Sequence, residues 1–403
     1  MSKFTTYKLA EIAEVQTGPF GSQLHMSDYK KEGTPIITVE HLGENRIIHK
    51  NLPLVGDEDK NRLKKYILKE GDIVFSRVGS VDRCAYVSAK EDNWMFSGRC
   101  LRVRTNNKVD SRFLSFYFNQ ESFREYIRMI AVGATMPSIN TTILSEVEIV
   151  LPSLKEQNII AETLSSLDDK IDLLHQNNKT LEAMAEAIFR KWFVEEAEES
   201  WEVETLDKLV NTVNGLSYKS SELNPSKVAM VSLKSFDRTG GFRLDGFKEY
   251  IGKYKEQQIV IEGDLIVAHT DITQEAEVIG RPALVIGNTN YDTMVISMDM
   301  VKVVPKFDWV SIEFLYFLMR TKEFKGHCEG HANGSTVLHL SKLAIPTFEF
   351  QVPEKEKIVE FTTHAKELVK KIFVNHSQIK TLTQLRDTLL PKLMSGEIGI
   401  NNN

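Results

Sequence analysis

Between residues 160 and 192 the apolar positions step by four and three without a break: Ile160, Leu164, Leu167, Ile171, Leu174, Asn178, Leu181, Ala185, Ile188 and Trp192. The positions between them are mostly polar. A 4-3 spacing held this long is a coiled-coil seam and predicts one long helix. A second seam runs through Ile358, Phe361, Ala365, Leu368, Ile372, Asn375, Ile379, Leu382, Arg386 and Leu389. Each helix begins just after a proline, Pro152 or Pro353, which the first turn tolerates. Ser153 and Glu156 fit a capping box, in which the hydroxyl takes an orphan N–H and the carboxylate reaches back. Each seam covers about 33 residues, roughly 50 Å of helix. A stripe of that length needs a partner, and the nearest candidate is the other copy.

Each seam carries an asparagine near its middle. With a globular block before each helix, pseudo-two-fold symmetry makes the pair antiparallel, which would bring Asn178 and Asn375 together. A buried amide pair fixes register, because a slip leaves an amide unpaired. Alternatively, both asparagines sit at the seam edge. Asn178→Leu or Asn375→Leu is expected to keep or raise stability while loosening register; a large drop would instead point to a pair whose survivor is left unsatisfied.

The flanking blocks show other periods. "GDIVFSRV" and "GDLIVAHT" read as strands entering sharp turns, and "DSRFLSFYFNQESFREYI" and "DWVSIEFLYFLMRTKEF" as helices capped by Asp or Ser. The second half repeats the first. "EGDIVFSRVGS" matches "EGDLIVAHTDI", "FLSFYF" matches "FLYFLM", "GATMPSIN" matches "GSTVLHLS", and "VLPSLKEQ" matches "QVPEKEK". A period this long means duplicated domains. The expected fold class is α+β: two mixed α/β domains joined by two long antiparallel helices forming a coiled coil, with an internal pseudo-two-fold repeat. The expected divisions are 1–152, 153–197, 198–353 and 354–395, with the acidic "VEEAEES" at 194–200 as a linker.

Charge changes the picture. Residues 1–152 hold 21 Lys/Arg against 19 Asp/Glu, 153–200 hold 5 against 11, 201–353 hold 16 against 20, and the remainder 8 against 6. No block has the basic excess of a protein that grips nucleic acid alone through phosphates. Any DNA role then needs specific contacts or a basic partner. "MSKFTTYKLAEI" has no apolar leader core and no run of 18 apolar residues occurs, so a cytoplasmic, membrane-free protein is expected. Cys84, Cys100 and Cys328 form no CxxC pair, which argues against a disulfide framework or zinc site. Phosphate-loop, dinucleotide, zinc-protease and serine-hydrolase motifs are missing, as is the Asn/Asp-Pro-Pro-aromatic motif with which amino-methyltransferases grip a flipped base. No catalytic or metal site is expected.

Two α/β blocks, each followed by a long helix in direct repeat, resemble the specificity (S) subunit, HsdS, of type I restriction-modification systems. The resemblance covers essentially the whole chain. It is carried by "LPSLKEQNIIAETLSSLDDKIDLLHQNNKTLEAMAEAIFRKWF" and "GDLIVAHTDITQEAEVIGRPALV", with weaker support from "GPFGSQL". It implies two target recognition domains, each reading half of a split site on double-stranded DNA, and a helical ruler crossing the gap. It also implies two modification (M) subunits bringing S-adenosylmethionine and adenine-N6 chemistry, and restriction (R) subunits bringing ATP, Mg and cleavage. No cofactor is expected on this chain. Two alternatives stay open: a coiled-coil scaffold without DNA specificity, and a methyltransferase or nuclease with an unfamiliar site.

Base readout needs side chains that reach base edges, and phosphate contacts set register. In the first domain the candidates are Arg77, Ser80, Asp82 and Arg83 after the strand. Arg77 either reaches guanine or pairs with an internal carboxylate. Gly18, Gly21, Ser22 and Gln23 form a small-residue loop suited to phosphate or to an ordinary turn. Lys60, Arg62, Lys64 and Lys65 form a basic run, and Thr135, Ser138 and Asn140 lie in "TMPSIN". The second domain offers His269, Thr270 and Asp271, the loop Ser217, Tyr218 and Lys219, and His331, Asn333 and Ser335. The aromatic clusters at helical spacing read as core.

Overall fold

The computed structural model describes residues 4–398 apart from Ser22, Arg238, Thr239, Gln274 and Thr289. The chain divides into two compact units, Met1–Asp172 with Lys380–Asn403, and Leu173–Ile379. Both are built alike. In the first, an antiparallel sheet runs Ala13–Thr17, Cys100–Thr105, Ile73–Ser76, Cys84–Tyr86. In the second the same order is Val210–Asn214, Met300–Pro305, Leu265–Ala268, Pro282–Leu284. Ile73–Ser76 and Leu265–Ala268 are buried on both faces, which is why they read as near-continuous apolar runs rather than alternating ones. A second four-stranded sheet in each unit contains one parallel pair, Thr34–Ile37 with Met95–Phe96 and Val228–Val231 with Thr293–Ile296. Thr5–Lys8 pairs with Glu148–Leu151, and Val203–Thr205 with Glu349–Gln351, just before each long helix.

The aromatic helices correct one expectation. Each predicted single helix is two, Ser111–Phe118 then Glu121–Ile130, and Ile312–Met319 then Lys322–Gly330. The chain is extended at Gln120 and Thr321, and the Thr321 hydroxyl accepts from the Phe324 N–H to start a new helix. The break also serves the core. Phe118 and Phe123 are both buried, their rings stacked at 4.8 Å. In one straight helix, residues five apart would point about 140° apart.

The central helix spans Leu154–Arg190 and continues as a π-helical turn over Lys191–Glu195. The distal helix spans Lys355–Met394 and holds Pro391 in its last turn, where the missing N–H leaves one i to i−4 bond unmade. In the first unit Ile160, Ala161 and Leu164 share a core with Leu393 and Met394, and buried Asp168 pairs with Arg386 at 2.9 Å. In the second, Ala185 and Phe189 share a core with Ile358, Phe361, Ala365 and Val369. Early residues of one helix therefore meet late residues of the other, so the helices run antiparallel. Among the seam positions Ile160, Leu164, Ile171, Leu174, Ile358, Phe361 and Ile379 are buried, and Leu167, Leu181, Ile188, Leu368, Ile372 and Leu382 half-buried.

Asn178 and Asn375 are both buried, and the Asn375 amide donates to the Asn178 carbonyl oxygen at 2.7 Å. The remaining amide nitrogen of Asn178 and the carbonyl oxygen of Asn375 have no partner among the described residues. One hydrogen bond in an apolar seam is thus a register device rather than a source of stability. Asn375→Leu strands the Asn178 carbonyl and should lower stability by about 1–3 kcal/mol. The double replacement Asn178→Leu with Asn375→Leu should return to the parental melting temperature or exceed it. Calorimetric melts of the three proteins check this; a double variant as unstable as the sum of its singles would contradict it.

Candidate nucleic-acid interface

Three segments meet at the end of the buried central strand in each unit. The first is the turn after the strand. The second is a hairpin that crosses it. Val78 bridges Ser138, which bridges Val132, and the Gly79 N–H donates to the Pro137 carbonyl at 2.9 Å. In the second unit Thr270 pairs with His339, which pairs with Asn333. The tip glycines Gly133 and Gly334 have φ of 111° and 137°, in the region that favours glycine.

The third segment is the glycine loop. Gly18 N–H donates to the Cys100 carbonyl at 3.1 Å, and Gly215 N–H to that of Met300 at 3.0 Å. A Cβ on Gly18 would stand 2.2 Å from the Ser97 carbonyl oxygen, and one on Gly215 would stand 1.9 Å from that of Ser297. The connection at 97–99 or 297–299 is also tied to the turn. Arg77 N–H donates to the Arg99 carbonyl at 2.9 Å, and His269 N–H to that of Asp299 at 2.7 Å. The same backbone frame is therefore made twice from different side chains.

The candidate side chains divide on this frame. Among the described residues Arg77 pairs with no carboxylate; its guanidinium donates to the Gly98 carbonyl at 3.0 Å and lies 5.4 Å from the centroid of half-exposed Phe20. Ser80 and Thr135 are exposed. Asp82 holds Arg128 at 2.5 Å. Ser138 donates to the Val132 carbonyl at 3.1 Å. Gln23 accepts from the Tyr66 hydroxyl at 2.7 Å, and its backbone carbonyl accepts from Arg62 at 2.8 Å. This joins the loop that carries Gly21 to the basic run, where Lys64 and Lys65 are exposed and Lys60 half-buried. Ser22 lies outside the described residues.

In the second unit Ser217, Lys219, Asn333 and Ser335 are exposed, and the Tyr218 hydroxyl accepts from Lys248 at 2.8 Å. His269 is half-buried; burial, then His339 and Lys342, push its pKa down and favour the neutral ring. Thr270 is buried. The His331 ring lies tilted against that of His327, their centroids 4.3 Å apart.

Arg83, Asn140 and Asp271 also spend their side chains internally. Arg83 hydrogen-bonds the Leu42 carbonyl. Asn140 caps the helix Thr141–Ser145 by accepting from the Ile143 N–H at 2.8 Å. Asp271 is buried and accepts from the N–H groups of Thr273, Val278 and Ile279. Burial raises its pKa, but those donors outweigh it and hold the carboxylate ionised. Phe20, Arg99, Asp299 and Gly215 were not singled out by the sequence. The signal was present as "FSGRC" opposite "ISMDM", a repeat without identity at the variable positions.

Among the described residues no three His, Cys, Asp or Glu side chains group as metal ligands, and no helix is long and apolar enough to cross a membrane. Burial pushes the thiols of Cys84, Cys100 and Cys328 up to about 12, away from nucleophilic use. What the surface offers is hydrogen-bond donors, acceptors and cations on a rigid frame.

Residues 1–183 match the family described as type I restriction modification DNA specificity domain. The MjaIX type I restriction enzyme specificity subunit of Methanocaldococcus jannaschii is 26% identical over 318 residues, 72% of this chain and 70% of that one. The HindI type I restriction enzyme specificity subunit of Haemophilus influenzae is 24% identical over 429 residues, 88% of this chain and 92% of that one. Among solved structures, a type I restriction-modification S subunit from M. genitalium shares the fold, with a TM-score of 0.61 over 97% of this chain and 96% of that one, at 17% identity.

The glycine loop yields a discriminating test. Gly18→Ala and Gly215→Ala each press a methyl group into a carbonyl and should destabilise the unit that contains them by about 1–3 kcal/mol. Gly21→Ala meets nothing within 4 Å and should change stability by less than about 0.5 kcal/mol. Urea unfolding measures all three; equal losses at Gly18 and Gly21 would contradict the packing described.

Proposed function

We propose that the chain is a type I restriction-modification DNA-specificity subunit, supported by the match over residues 1–183 and by the similarity to the MjaIX and HindI specificity subunits, and that each unit reads one half of a two-part site on double-stranded DNA. The paired long helices set the spacing between the halves and dock two M subunits. The observation that carries this reading is the repeated frame of turn, hairpin and glycine loop, with its backbone bonds matched and its exposed side chains different. A surface that reads two different half-sites needs a common mount and unlike donors and acceptors.

On this reading the exposed Lys64 and Lys65 face phosphates, while the turn, the hairpin tip and the 97–99 connection face base edges. Phosphate contacts give affinity without sequence information. The chain carries a formal net charge of -6 and no strongly basic block, so the M subunits contribute the rest of that affinity. S-adenosylmethionine and adenine-N6 transfer belong to the M subunits, and ATP, Mg and cleavage to R subunits where present. The chain itself orients this machinery and moves no group.

Replacing residues 201–345 with the matching segment of a relative, and sequencing the methylome of cells that also carry the M subunit, tests the reading. One half-site should change and the other stay. Simultaneous change of both halves would contradict modular reading, and unchanged specificity would leave only the scaffold reading.

A further inference from the structure

The connection entering the longest strand of each four-stranded antiparallel sheet occupies the same place in both units. Residues 97–99 precede Cys100–Thr105, and residues 297–299 precede Met300–Pro305. The equivalence is fixed by two backbone bonds, from Arg77 N–H to Arg99 and from His269 N–H to Asp299. It is fixed again by the glycine packed on Ser97 or Ser297. Ser97 and Ser297 are alike, but two residues further on a cation faces an anion. Arg99 is exposed and its side chain makes no hydrogen bond or ion pair with the described residues. The other arginines of that unit have partners; even Arg77 and Arg83, beside it, donate to carbonyls. Asp299 is half-exposed, and of its two carboxylate oxygens one accepts from the Ser297 hydroxyl at 3.2 Å.

A free guanidinium on a backbone held this firmly is available to an outside partner at no cost to the fold. Its neighbours leave five N–H donors for an outside acceptor, and the fork geometry matches the O6/N7 edge of guanine. A carboxylate at the equivalent place can only accept, and the cytosine N4 amine is the base-edge donor it fits. Two copies of one M subunit would meet like surfaces on the two units, so a reversal of charge at equivalent positions points to what differs between the half-sites, the bases.

We propose that Arg99 and Asp299 are equivalent base-reading residues of opposite sense: Arg99 donates to a guanine in one half-site and Asp299 accepts from a cytosine amine in the other. This rests on the reading that each unit recognises one half-site.

The test uses the full chain reconstituted with M subunits, with methylome sequencing and binding to duplexes carrying every base at each site position. Arg99→Gln should reduce discrimination at one guanine of one half-site by roughly 5- to 140-fold, the equivalent of 1–3 kcal/mol at 1.4 kcal/mol per tenfold. The other half-site should be untouched. Asp299→Asn should relax one cytosine position in the opposite half-site. Both variants should melt with the parent, because neither side chain holds the fold. A uniform loss of binding at every base, with a shallower salt dependence, would make Arg99 a phosphate contact and overturn the proposal, as would unchanged specificity. A parental complex that methylates no two-part site would instead fail the underlying reading.

Discussion

An apolar stripe about 50 Å long cannot face water, and both long helices carry one. Their antiparallel pairing removes both stripes at once. The same pairing makes each unit hold a piece of each helix: Ile160 and Leu164 share a core with Leu393 and Met394, and Ala185 and Phe189 share one with Phe361 and Ala365. The first unit is completed only by the distant segment Lys380–Asn403, while the second is the continuous stretch Leu173–Ile379. Polar groups within the seam set the register. Asn178 meets Asn375, and Asp168 meets Arg386, each pair buried enough that a slip by one heptad would leave them unmatched.

On that base the two units divide fixed structure from variable chemistry. The fixed part is backbone: the N–H of Gly18 and Gly215, the close approach to Ser97 and Ser297, and the hairpin glycines with positive φ. These contacts involve no side chain that could tell one base from another. The variable part is what stands on the frame: Arg77 and Arg99 in one unit, His269 and Asp299 in the other. On the proposed reading, duplication followed by change at such positions would alter recognition without touching the core.

What was legible in the sequence follows from what is local. The 4-3 seams, the capping box at Ser153 and Glu156, and the buried strands Ile73–Ser76 and Leu265–Ala268 are written in periodicity, which each segment carries by itself. The repeat was legible because core positions match. The break after Phe118 was not, because it depends on Phe118 and Phe123 sharing one core. The inward turn of Arg83 toward Leu42 and of Asp271 toward Val278 was not legible either. Loop side chains point where distant backbone offers a partner, and a polar residue after a strand looks the same whether it faces solvent or a carbonyl. Arg99 was passed over for the converse reason: nothing in its local pattern distinguishes an unpaired arginine from ten paired ones.

The claim on which the functional account depends is that the helical pair sets the distance between the half-sites. Matching heptads inserted in both helices keep the seam in phase and add about 10 Å, the equivalent of about 3 base pairs. Methylome sequencing of cells carrying the double-insertion variant with its M partner measures the result. The account predicts unchanged half-sites separated by a longer spacer. An active variant that keeps the original spacer would contradict it and leave the seam a docking surface alone.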